Sequence, residues 1–141
     1  MTTQNLPTMD QERARFALAR IEAISKKDAV IQAEVRRYIN GLPALIHMNG
    51  LGQAMAFYRS KSKGDDKKET SHKLIYDILG LWLCGKDSKG RIFSSSNDLL
   101  AAITQSDMQH YMAAQNEAQA VLEWLKKFAV ALLATEEAKH E

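Results

Sequence analysis

Only two prolines interrupt the 141 residues, at positions 7 and 43, and both stand where a helix can begin. Proline fixes φ and removes a backbone donor, so a chain almost without it is left free to run in long hydrogen-bonded segments. Those segments are rich in Ala, Leu, Glu, Lys and Gln, which lose little on entering a helix. Their apolar residues recur at three and four positions, the helical period. There is no strand-like segment and no internal repeat. The chain is therefore expected to be all-α: a single-domain compact bundle of about six or seven helices spanning residues 1–141, with its core over about 9–135.

Element by element, the first helix is expected from Met9 to Lys26, with Thr8 and Gln11 forming a capping box and Ala14, Ala17, Leu18, Ile21 and Ile24 its apolar face. The second starts near Asp28 and is expected to break at Asn40-Gly41. A third is expected over Pro43–Met48 and a fourth over Leu51–Ser62. The fifth follows Thr70 or Ser71 and carries Leu74, Ile75, Ile78, Leu79, Trp82 and Leu83. Ser96 is expected to cap a short helix. Ser106 with Gln109 is expected to cap a long last one, whose stripe runs from Tyr111 to Leu133.

The segment Leu42–Lys61 forms an elbow. Pro43 suits a first helical turn, because its missing N–H has no partner there anyway. Asn49 and Gly50 tolerate the left-handed conformation that ends a helix. Gly52 allows close helix packing just beyond. The elbow then runs out into Arg59, Lys61 and Lys63, where a charged loop at about 61–70 begins. An acidic tail over 136–141 holds Glu136, Glu137 and Glu141.

Composition bounds the function. No apolar run approaches the roughly 18 residues that a membrane-spanning helix requires. The N-terminus lacks the basic segment and apolar core of a secretory signal, and the single Cys84 sits in the apolar run LGLWLCG. A reduced, buried thiol and a cytoplasmic location are expected. No cofactor and no metal site are expected either. The four histidines are scattered without ligand spacing. Gly50-Leu51-Gly52 opens like a dinucleotide fingerprint but has no third glycine and no preceding strand. Asp65-Asp66 lies among lysines, so nothing desolvates it for acid–base work. An enzyme is not expected.

The net charge is only +2, yet the basic residues come in groups: Arg13 and Arg15, Lys26-Lys27, Arg36-Arg37, Lys61 onward, and Lys126-Lys127. Phosphate binding needs lysines and arginines presented together on one surface, with no fixed spacing. Arg13 and Arg20 are seven apart and share one side of the first helix. Arg13, Arg20, Lys61, Lys126 and Lys127 are the candidate nucleic-acid-contacting residues. Tyr58 and Trp124 could stack on bases but also fit the apolar stripes.

Several motifs in order resemble one family. Gln11, Arg13 and Ala14 open the first helix. Leu42-Pro43-Ala44-Leu45-Ile46 and Asn49-Gly50-Leu51-Gly52-Gln53-Ala54 follow, with Phe57 and Lys61. Trp82-Leu83, Tyr111, Glu117-Ala118 and Trp124-Leu125-Lys126-Lys127-Phe128-Ala129 complete the set. Over about Asp10–Ala134 the chain resembles the small α-helical subunit of the type III-B (Cmr) CRISPR effector complex, an RNA-guided machine that destroys invader RNA. The charged gap and the tail after Ala134 do not align with that pattern.

The resemblance implies a non-catalytic subunit whose copies stack into a minor filament beside the backbone subunits. The implied partners are those backbone subunits, the large polymerase-like subunit, copies of itself, and guide RNA paired with target RNA; cleavage belongs to the backbone subunits. Two other readings of the residues remain: a protein-only assembly adaptor, and a free-standing helical DNA-binding regulator. The helix after Gly50 is too apolar for the recognition helix of the latter.

Overall fold

The computed structural model describes residues 5–62 and 70–136. Lys63, Asp65, Asp66, Lys67 and Lys68 of the expected charged loop, and the tail beyond Glu136, lie outside the described residues. Six helices are present and no strand occurs among the described residues: α1 Met9–Ile24, α2 Ala29–Asn49, α3 Leu51–Ser60, α4 Ser71–Cys84, α5 Leu99–Gln105 and α6 Met108–Leu132. The all-α expectation is met.

Local chemistry starts most of these helices as expected. Thr8 Oγ1 accepts from Gln11 N–H at 3.0 Å while Gln11 Oε1 accepts from Thr8 N–H at 2.7 Å, a complete capping box. Asp28 caps α2 and Thr70 caps α4. Two starts differ from expectation. Asp98, not Ser96, caps α5, and Asp107, not Ser106, caps α6. In both places a carboxylate stands within two residues of the serine, and its charge also favours the helix N-terminus.

The expected break at Asn40-Gly41 does not occur. α2 runs unbroken through Gly41 and Pro43, so the expected second and third helices are one. Val35, Ile39, Leu42 and Ile46 are all fully buried at helical spacing, and that burial outweighs the local cost of an interior glycine and proline. Gln119 Nε2 of α6 also donates to the Pro43 carbonyl at 3.0 Å.

The turn expected at Asn49-Gly50 is present, and Gly50 alone makes it. Its φ of 87° and ψ of 158° are positive-φ but extended, a region essentially confined to glycine, rather than the expected left-handed helical conformation. Asn49 is simply the last helical residue, and no non-glycine residue among those described has positive φ.

α6 is the central post. It packs against α1 along one flank and α2 along the other, with α3 and α4 touching it further round. Ala114, Ala118, Val121, Leu122, Leu125 and Ala129 form its buried stripe. The core continues through Ile21, Leu51, Met55, Ile75, Leu79, Trp82 and Leu83. Tyr58 belongs to it, with its hydroxyl donating to the Tyr38 carbonyl at 2.8 Å, so its ring is not available for base stacking. Cys84 is buried as expected, and desolvation pushes its thiol up to about 11, which makes it a poor nucleophile.

Candidate functional site

The first half of α6 sends polar side chains across to four other helices. Gln115 Oε1 accepts from Leu51 N–H at 2.8 Å, and Tyr111 Oη accepts from Gly52 N–H at 3.0 Å. Gly50 supplies no side-chain cap to α3, so these two residues of α6 satisfy amides that the helix start leaves open. The fit is close: a Cβ on Gly50 would lie 2.9 Å from Tyr111 Oη.

One turn on, Glu117 is the hub of a network joining three helices. Its carboxylate accepts from Arg13 Nε at 2.7 Å and from a second Arg13 nitrogen at 2.9 Å, a bidentate fork, and from Trp82 Nε1 at 3.0 Å. The Glu117 side chain is only 10% exposed, so its charge depends on those donors. The remaining arm of Arg13 reaches Asp10 Oδ1 at 3.2 Å, and Asp10 also accepts from Trp124 Nε1 at 3.0 Å. The Trp124 hydrogen bond and the Arg13 charge together hold the Asp10 carboxyl below its ordinary range. The guanidinium of Arg13 thus already serves two carboxylates, and a phosphate there would have to share it.

The other candidate residues lie outside this network. Arg20, a half-buried residue, lays its guanidinium 5.9 Å from the Phe16 ring centre, and its Nε has no hydrogen-bond partner. Lys127 is exposed, with Nζ 5.9 Å from the Trp124 ring centre. Lys126 lies on the other flank of α6, seven residues after Gln119 and four before Val130, both of which face α2.

Lys61 is set apart among α2, α3 and α4. Its Nζ stands 5.0 Å from the Phe57 ring centre. It borders a cavity of about 800 Å³ that is also lined by Glu34, Tyr38 and His72. His72 stacks on Tyr38 at 3.9 Å, and burial, helped by the Lys61 charge, holds its pKa below the ordinary histidine value. The five candidates therefore do not form one cluster. Arg13 and Lys127 gather around Asp10 and Trp124, Arg20 lies by Phe16, Lys126 looks toward α2, and Lys61 lies at the far end of α3.

Among the described residues, no group of three or more His, Cys, Asp and Glu side chains is placed to hold a metal. His110 Nδ1 lies 2.8 Å from Asp107 Oδ1, in a pair that belongs to the α6 cap. No helix among those residues is long and apolar enough to cross a membrane.

A family model described as CRISPR-associated protein (Cas_Cmr5) matches residues 9–132, from the first residue of α1 to the last of α6. The chain belongs to the Cmr5 family of CRISPR-associated proteins. It is 28% identical over 126 residues to the CRISPR system Cmr subunit Cmr5 of Thermus thermophilus, covering 89% of this chain and 96% of that one. A crystal structure of a CRISPR-associated Cmr5 family protein from Thermus thermophilus matches with a TM-score of 0.69 and 25% identity, over 90% of this chain and 99% of that one.

Several of the residues that carry the Cmr5 resemblance make the contacts that join the helices. Arg13, Trp82 and Glu117 form the three-helix network, and Tyr111 joins Gly50-Leu51-Gly52 at the turn. Sequence reasoning gave Gln115 and Glu117 no place in the site, because Leu51 and Arg13 lie 64 and 104 positions away and cannot be read from local spacing. The signals at Glu117 were its place in the Glu117-Ala118 motif and a carboxylate one residue from the apolar stripe of α6.

Proposed function

We propose that the chain is a non-catalytic structural subunit of a Cmr-type CRISPR effector complex. It acts in the cytoplasm as one helical domain, stacks with copies of itself into the minor filament, and helps hold target RNA paired with the guide. Its neighbours there are the backbone subunits and the large polymerase-like subunit. The observation that carries this reading is a division of labour among polar side chains. Those at Tyr111, Gln115, Glu117 and Gln119 are spent on joining helices, while Lys61 and Lys127 are exposed and Lys126 is half-buried outside that network. Surface cations without a fixed internal partner suit the backbone of a nucleic acid, whose phosphates are bound by charge rather than by exact geometry. Arg20, Lys61, Lys126 and Lys127 take the phosphate-contacting role, and Arg13 holds α1 against α6 beside them.

The test uses the assembled complex. Lys126→Glu with Lys127→Glu should leave the subunit incorporated and weaken capture of a labelled target RNA by about tenfold at ~150 mM salt. Unchanged target affinity would remove both lysines from the role. Loss of incorporation with no change in RNA crosslinking to the subunits that remain would favour the protein-only adaptor instead.

A further inference from the structure

Arg36 and Arg37 stand together on α2, across from the end of α6. Between them the two helices and the chain that follows α6 leave a groove of about 330 Å³, lined by Arg36, Arg37, Asn40, Val130, Thr135 and Glu136 among others. We propose that this groove is a phosphate-binding site for an RNA strand, and that Glu136 is a built-in competitor for it. The proposal rests on the RNA-holding reading above and adds a site and a means of regulation to it.

Three observations support the assignment. Arg36 Nε is shielded from solvent and has no hydrogen-bond partner, a costly state for a charged donor that an incoming oxyanion would relieve. Arg37 is held in position by Tyr38: one nitrogen donates to Tyr38 Oη at 3.1 Å, and the guanidinium stands 5.0 Å from the ring centre. The groove also already holds an oxyanion, since the other Arg37 nitrogen donates to Glu136 Oε1 at 2.8 Å. A phosphate offers more acceptor oxygens than one carboxylate and can engage two adjacent guanidinium forks at once. Lys126 lies one turn before Val130 on the same side of α6, outside the groove lining.

The Glu136 contact is built to be displaced. Both partners are well exposed, 54% for the Arg37 side chain and 41% for that of Glu136, so the pair is held weakly. Glu136 is also the first acidic residue of a tail that contains Glu137 and Glu141. A strand carrying several phosphates competes with it at an advantage that grows as salt falls.

The experiment titrates the full chain with tripolyphosphate, and separately with a labelled single-stranded RNA, at low salt. Glu136→Gln should tighten tripolyphosphate binding about three- to fivefold, the range an exposed ion pair can hold back. Arg37→Gln should weaken it about five- to tenfold and abolish the gain from Glu136→Gln in the double variant. Arg36→Gln should also weaken it; because Arg36 is partly buried, its melting curve is checked, and the exposed Arg37 variant gives the deciding result. Binding indifferent to Glu136→Gln overturns the competitor. Binding indifferent to Arg37→Gln, or none at all in any form, overturns the site. Tighter binding of hexaglutamate than of tripolyphosphate would make the groove a dock for an acidic peptide and overturn the phosphate assignment. If tripolyphosphate responds as stated but no variant binds RNA, the RNA-holding reading fails while the anion site stands.

Discussion

The two halves of α6 use polar residues in opposite ways. In the first half, Tyr111, Gln115, Glu117 and Gln119 each reach another helix: the start of α3, the Arg13–Trp82 pair, and the Pro43 carbonyl. In the second half, Lys127 is exposed, Lys126 is half-buried and Val130 is 54% exposed. The lesson is that an ionisable residue reports on function through what surrounds it. A buried carboxylate held by three donors is a fastening, and a lysine beside solvent is an offer to a partner.

The strongest way to break this contrast is to remove the hub. Glu117→Ala should destabilise the fold by about 3 kcal/mol, because it leaves the Arg13 charge and the Trp82 N–H without their acceptor. Urea unfolding measures it. Glu117→Gln should cost less, since an amide oxygen still accepts from one donor. If Glu117→Ala shifted the midpoint no more than a surface substitution, the first half of α6 would lose its status as the fastened end.

Next in size is the turn that Tyr111 and Gln115 enclose. Gly50→Val should cost about 2–3 kcal/mol: a β-branched residue is strained at φ 87°, and its Cβ would press on Tyr111 Oη. The same change paired with Tyr111→Phe separates the two causes. Measured against Tyr111→Phe alone, which also loses the bond from Gly52 N–H, the cost of Gly50→Val should shrink only in part, because the backbone strain stays. No cost at all in that background would show that contact alone makes Gly50 necessary.

A smaller effect tests how much of the fold was legible in the sequence. The helical period, the Thr8–Gln11 box, the Asp28 and Thr70 caps and the Gly50 turn were readable, because each is signalled by residues no more than one helical turn apart. Asn40-Gly41 before Pro43 read as a break for the same local reason. It failed because the burial of Val35, Ile39, Leu42 and Ile46 is supplied by other helices. The candidate site was legible in residue type and not in placement. Arg13 looked like any other basic residue until Glu117, 104 positions away, was found beneath it. Gly41 now gives a direct check: nothing lies within 4 Å of where a Cβ would stand, and the backbone is helical. Gly41→Ala should therefore stabilise the chain by about 0.5–1 kcal/mol. A loss would mean that α2 needs glycine's freedom next to Pro43.

The smallest effect is the most telling for the second half of α6. Lys126→Glu and Lys127→Glu together should change unfolding stability by no more than about 0.5 kcal/mol, as expected for side chains outside the caps and the buried stripe of α6. Lys127 rests near the Trp124 ring and adds to the field on Asp10, so of the two it should carry what little cost there is. Measured beside Glu117→Ala in the same urea series, the lysine pair should cost several-fold less, although every residue changed in either variant is charged. If reversing the lysines cost as much as removing Glu117, both ends of α6 would be fastened, and the loss of RNA capture expected from the same variant would have to be read as unfolding.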